Sequence, residues 1–210
     1  MTAWPPIPSK ERLAALPLFE RLGMDRIVVV QTAEQAQAAW AELSQAPAWG
    51  FDTESKPTFV KDQLSDGPHV LQLATLDKAW VIQLHDPDCR ALAAKWLSHP
   101  VPKAGFGLGD DHKRIVAKLQ VSPVGVMDLN TCFRQLGYRQ DMGVKAAVAV
   151  LFEQRFVKSK KAATSNWAQP RLSEAQIVYA ANDAYAAARV YHALAARGAL
   201  SPHTSPRRSV

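Results

Sequence analysis

The sequence predicts an α/β fold, a mixed sheet flanked by helices. Three features predict it. Short β-branched or alternating runs begin at Ile27. Three strand-like runs then follow in succession, and the last pair is separated by a tight turn, so they can pair as an antiparallel meander. After them helix and strand alternate, and the body closes on a long alanine-rich helix, a pattern that needs helices on the faces of a sheet.

Each element has its own signal. Residues 1–26 carry Pro5, Pro6, Pro8 and Pro17 and read as an N-terminal arm, with at most a turn or two of helix over Lys10–Leu16. Ile27–Val30 is β-branched and short, a strand. Thr32 followed by Gln35 forms a capping box, which starts a helix over Ala33–Leu43. Ala48–Glu54 alternates and reads as a second strand. Val70–Thr75 and Ala79–Leu84 are two more, with Asp77 and Lys78 in the turn. A helix is expected over Asp88–Leu97, then a short strand over Pro102–Phe106, ended by Gly105, Gly107 and Gly109. Helices are expected over Asp110–Leu119, Leu129–Leu136, Val144–Phe152 and Ser173–Arg197, with a further short strand over Val124–Met127. Residues 27–200 thus form one domain, and 201–210, with Pro202, Pro206 and two arginines, read as a disordered tail.

Composition narrows the function. The chain has 210 residues, 48% of them hydrophobic and 21% charged, which is globular rather than disordered. Lys and Arg number 25 against 19 Asp and Glu, a formal net charge of +6. That excess favours a polyanionic partner. The longest clean apolar run, Ala146–Phe152, is far too short to cross a bilayer, so no membrane partner is expected. The N-terminus lacks an apolar signal-peptide core, and a cytoplasmic location is expected. Cys89 and Cys132 are not a disulfide framework, and neither they nor the six histidines have zinc spacing. Nothing in the residues sets an oligomeric state.

Three sets of acids stand where acids are unusual. Asp52 and Glu54 fall two apart on a strand and share a face, roughly 6–7 Å apart. Like charges that close repel unless a cation lies between them. The run Gly105-Phe106-Gly107-Leu108-Gly109-Asp110-Asp111 is a glycine turn into a helix, where Asp110 reads as the N-cap and Asp111 falls one position inside. Tyr179 and Asp183 are one turn apart on a helix, and their face continues through Ala187, Val190 and Leu194. Asp183 thus sits on an apolar stripe and needs a metal, a cation or hydrogen-bond donors. Each set alone is weak. A strand end, a capped helix and a solvated stripe edge would explain them separately. Together they supply hard oxygen ligands for Mg²⁺ or Mn²⁺, the set that two-metal phosphodiester hydrolysis requires.

In these motifs the chain resembles the DEDD superfamily of 3′–5′ exonucleases, in its tyrosine subtype, to which ribonuclease D and the exonuclease domain of Werner-type helicases belong. The first motif, F-D-x-E, stands as Phe51-Asp52-Thr53-Glu54. The second, a glycine-rich strand end followed by Asp, stands at Lys103–Asp111, and the spacing favours Asp111. The third, Y-x-x-x-D, stands at Tyr179–Asp183. The resemblance spans Ile27 to Arg197 and implies a ribonuclease-H-like fold. It implies that Asp52, Glu54, Asp111 and Asp183 hold two divalent cations, with Asp52 bridging them and Tyr179 holding the attacking water. The implied activity is stepwise release of 5′-mononucleotides from the 3′ end of DNA or RNA. Ribonuclease D also carries helical nucleic-acid-binding domains after its nuclease domain, where only a short tail is read here after Arg197, so the substrate class does not follow from the resemblance.

The basic excess then has a use. Arg155, Lys158, Lys160 and Lys161 cluster before the last helix, and Lys56 and Lys61 follow the strand acids. These are candidate phosphate contacts, while Trp167, Phe59 and Phe156 are candidate base-stacking rings. The alternative is a non-catalytic nucleic-acid-binding module on the same fold. All five expected positions are filled, which argues against it.

Overall fold

A computed structural model describes residues 4–58 and 66–200. The tail at 201–210, Phe59 and Lys61 lie outside the described residues. The chain runs α1 (Lys10–Ala15), β1 (Ile27–Val30), α2 (Ala33–Leu43), β2 (Trp49–Glu54), β3 (Val70–Ala74), β4 (Ala79–Gln83), α3 (Pro87–Ser98) and β5 (Lys103–Gly105). It continues through α4 (Gly109–Leu119), β6 (Val126–Asp128), α5 (Leu129–Gln135), α6 (Gly143–Phe152), α7 (Lys160–Ala163) and α8 (Glu174–Ala196).

The six strands form one mixed sheet in the order β1-β4-β3-β2-β5-β6. β2, β3 and β4 are the antiparallel meander, while β1 joins β4, and β5 and β6 join β2, in parallel. The sheet has a core on each face. Val70, Ala74 and Val81 pack with α6 and α8, while Leu71, Leu73 and Ile82 pack with α2 and α3. This is the period of two in a strand turned into two apolar layers. Cys89 and Cys132 fall in opposite layers and are free thiols. Among the described residues no helix is long and apolar enough to cross a membrane.

Helix α8 lies directly on β2. A Cβ placed on Gly50 would meet the Ala184 carbonyl oxygen at 1.9 Å, so only glycine admits this approach. The alanines of α8 do the same from the helix side, and Ala180, Ala184, Ala187 and Ala188 are all buried. The contact brings the last helix over the face of β2 that carries Asp52 and Glu54.

Three expectations change. First, the stretch after α1 is part of the body rather than a separate arm. Phe19 and Leu22 are buried, and Phe19 packs against Phe152, Phe156 and Tyr185 at ring distances of 5.5–6.2 Å. The prolines of this stretch obscured two anchoring apolar side chains. Second, Asp110 is not the N-cap of α4. The helix starts at Gly109 with Leu108 as its cap, and Asp110 lies in the first turn, exposed and paired with Lys113 at 3.1 Å. Third, the last strand runs over Val126–Asp128 rather than Val124–Met127, and the side chain of Asp128 caps α5 through the Asn130 amide. The short helix α7 was not anticipated; Ser159 caps it.

Candidate active site

The site forms where β2 ends. Gly50, Asp52 and Glu54 alternate onto the α8 face, while Phe51 and Thr53 point to the other. Ser173 opens α8 with a capping box, and the helix then runs unbroken for 23 residues, which fixes the height at which Tyr179 and Asp183 meet the strand. Carboxylate oxygens of Asp52, Glu54 and Asp183 all lie within 4.8 Å of one another. Asp183 is 5% exposed.

Three carboxyl groups this close cannot all carry charge without a cation. Burial first, then the neighbouring Asp183 and Asp111 charges, push Asp52 up to about 8. Burial and Asp52 push Glu54 up to about 9. Burial also raises Asp183, against the opposing pull of Lys158. The Lys158 ammonium lies 2.6 Å from Asp183 Oδ2, an ion pair without the alignment of a hydrogen bond, and 5.6 Å from the centre of the Tyr179 ring. The buried oxygen is therefore electrostatically satisfied yet accepts no aligned hydrogen bond. A convergent all-oxygen set with raised proton affinity suits a hard divalent cation.

Tyr179 is one turn before Asp183 on the same face of α8. Its phenol is pushed upward by burial and by the surrounding carboxylates, so it is a neutral donor. Asp111 is placed differently. It sits in the first turn of α4, half-buried, and accepts a hydrogen bond from the Thr53 hydroxyl on the opposite face of β2. It lies outside the group of three, though its charge reaches Asp52 and Glu54.

The structure brings together Asp52, Glu54, Tyr179, Asp183 and Lys158, with Asp111 at the margin. Lys158 is half-buried at the acids rather than on an open basic surface. Lys160 and Lys161 are exposed on α7, Arg155 is half-buried in the loop before it, and Lys56 is exposed just beyond β2. Trp167 is a correction. It is 1% exposed, its indole N–H points at the Ala163 carbonyl, and its ring backs Tyr179 at 6.0 Å. Its faces are occupied by protein, so it does not stack a base. Phe156, at 4% exposure, is likewise core.

Sequence reasoning missed Thr53 and Asn182. Thr53 is the variable position of the F-D-x-E motif, and strand parity put it on the wrong face to be noticed. Asn182 is buried beside Asp183. Its amide accepts from the Leu22 N–H at 2.8 Å and donates to the Leu22 and Val178 carbonyls at 3.2 and 2.8 Å. The tie to Leu22 spans 160 residues of chain, and no local pattern reports such a partner.

A cavity of about 330 Å³ opens beside the acids, lined among others by Asp52, Phe106, Asn130, Met142, Lys158 and Asp183. That is within the range of small-molecule sites.

Comparison with known proteins agrees with this geometry. The sequence model of the 3′–5′ exonuclease family matches residues 27–198. The mouse bifunctional 3′–5′ exonuclease/ATP-dependent helicase WRN is 24% identical over 155 residues, which cover 72% of this chain and 11% of that protein, so the chain spans about a tenth of that relative's length. Among solved structures, the Aedes aegypti Nibbler EXO domain superposes with a TM-score of 0.71 at 23% identity, covering 85% of this chain and 91% of that one. Escherichia coli RNase D, an exoribonuclease involved in structured RNA processing, superposes with a TM-score of 0.66 at 18% identity, over 82% of this chain and 46% of that one. These likenesses establish the ribonuclease-H-like exonuclease fold, and the family match covers the strand, the glycine turn and the last helix that carry the acids. The chain belongs to the 3′–5′ exonuclease family, enzymes that hydrolyse the phosphodiester bonds of nucleic acids.

Proposed function

We propose that this protein removes 5′-mononucleotides stepwise from the 3′ end of a DNA or RNA strand. The observation that carries the reading is the convergence of Asp52, Glu54 and Asp183 within 4.8 Å, with the Tyr179 hydroxyl on the same face. Asp52, Glu54 and Asp183, with Asp111 at the margin, would hold two divalent cations, Mg²⁺ or Mn²⁺. Bound there, such ions lower the pKa of water and neutralise charge on the phosphate and the leaving 3′ oxygen.

The chain's own groups do the rest. The neutral Tyr179 phenol, one helical turn from Asp183, positions the attacking water by hydrogen bonding. The Lys158 ammonium lines the cavity beside Asp183, where it can meet a phosphate oxygen. The cavity has room for one nucleotide, with Phe106 against the base and the acids at the phosphate. Lys56, Arg155, Lys160 and Lys161 would meet phosphates further along the strand. A Trypanosoma brucei RNase D of the same fold has been solved in complex with RNA U12, which supports a nucleic-acid strand as the ligand of this fold.

The test is a time course on 5′-labelled DNA and RNA of matched sequence with Mg²⁺, Mn²⁺ or EDTA, run beside Asp52→Asn. The expected result is a metal-dependent ladder shortening from the 3′ end, reduced at least about 10³-fold in the variant. Intact strands in every metal lane, with a gel shift still present, would identify a non-catalytic binding module instead.

A further inference from the structure

A second cavity, of about 280 Å³, lies on the other side of Lys158. Lys10 and Leu13 of α1 form one wall, Lys145 of α6 another, and Arg155, Val157 and Lys158 a third. Among the described residues, four cations and no carboxylate line it. Lys158 belongs to both cavities, so the groove adjoins the catalytic one. Its third wall is fixed by backbone. The Arg155 N–H donates to the Pro17 carbonyl at 2.7 Å, the Phe19 N–H donates to the Arg155 carbonyl at 3.1 Å, and the Arg21 guanidinium donates to the Val157 carbonyl at 3.0 Å. A cationic groove suits an anion, and its apolar wall suits sugars or bases.

We propose that this groove carries the nucleic-acid strand upstream of the scissile bond, and that α1 is one wall of the substrate track. The proposal rests on the exonuclease reading. The terminal nucleotide occupies the cavity at the acids, Lys158 stands at the junction, and the preceding phosphates run past Arg155 between Lys10 and Lys145. Lys10 and Lys145 are both exposed and lie 135 residues apart in sequence, so folding alone makes them neighbours of one groove.

The test measures binding by fluorescence anisotropy in EDTA with labelled 3-mer and 12-mer oligonucleotides over a range of salt. The proteins are the wild type, Lys10→Gln/Lys145→Gln, and the charge-matched Lys78→Gln/Lys95→Gln on the far side of the sheet. Loss of two phosphate contacts should lower the slope of log affinity against log salt by about 1.4 and weaken the 12-mer about tenfold. The 3-mer should change less than about twofold, because too few phosphates reach the groove. The charge-matched pair should keep the wild-type slope. A wild-type protein that shortens strands in Mg²⁺, while the Lys10/Lys145 variant keeps the wild-type slope or matches the control, overturns the groove alone. A wild-type protein that neither binds nor shortens a strand overturns the exonuclease reading and the groove with it.

Discussion

Asp183 and Asp111 lie on opposite flanks of β2, and they are held in opposite ways. Asp183 is 5% exposed on a 23-residue helix pressed onto the strand at Gly50, and a lysine answers its charge. Asp111 is half-buried in the first turn of a helix without a side-chain cap, after a turn in which Gly107 adopts φ +69°, and a hydroxyl answers it. Both helices are anchored in the core, α4 through Leu108 and Ile115, but the Asp183 side chain is held by burial and an ion pair and the Asp111 side chain by one hydrogen bond.

The largest break in that contrast should come at Gly50. An added Cβ meets backbone atoms of α8 at 1.9–2.8 Å, and no side chain is there to yield. Gly50→Ala must lift α8 from β2, carrying Asp183 away from Asp52. The expected cost is about 3 kcal/mol of stability. Denaturant unfolding reads the stability, and calorimetric titration with Mn²⁺ reads the separation of the acids. Unchanged stability and unchanged Mn²⁺ affinity would mean that the helix is not what sets this flank.

A smaller effect is expected on the other side. Thr53→Val removes the hydroxyl that Asp111 accepts from while keeping the shape of the side chain. The rate on a labelled oligonucleotide should fall about 10–100-fold, as for a group that orients a ligand. Thr53→Ser should restore it, and the melting temperature should change little. Equal loss in the Ser and Val variants would assign Thr53 to packing instead.

The same contrast explains what the sequence could reveal. The α8 flank was legible because regular elements carry it. Asp52 and Glu54 follow the strand period, and Tyr179 and Asp183 follow the helix period. The α4 flank was only partly legible. The glycines marked the turn, but a helix start is uncertain by a residue or two, so Asp110 read as a cap that the structure assigns to Leu108. Trp167 read as a stacking ring because a Trp beside lysines has the same letters whether it faces solvent or the core. The clamp from Asn182 to Leu22 left no local trace, because its partners meet only after the chain has folded.

The last distinction is electrostatic, and its sign can be worked out. In the metal-free protein Asp52 and Glu54 sit at about 8 and about 9, far above the usual carboxylate range, because burial and mutual repulsion disfavour their charged forms. The native state then keeps protons that the unfolded chain loses above about pH 4. Stability must fall as pH rises from there to about 9. Lys158 adds nothing in this window, since its raised affinity keeps it protonated in both states. His69 and His192 act in the opposite sense, because burial lowers both and favours their neutral forms. Subtracting the melting curve of Asp52→Asn cancels the histidines. The metal-free variant should melt above the wild type by a small margin near pH 5 and a larger one near pH 8.5, by about 2–4 °C for each kcal/mol of repulsion relieved. Saturating Mn²⁺ should reverse the order, because only the wild type gains a full set of charged oxygens for the ion. A metal-free difference that stays flat from pH 5 to 8.5 would mean that the three carboxyls share no buried charge, and the contrast between the two flanks would then rest on packing alone.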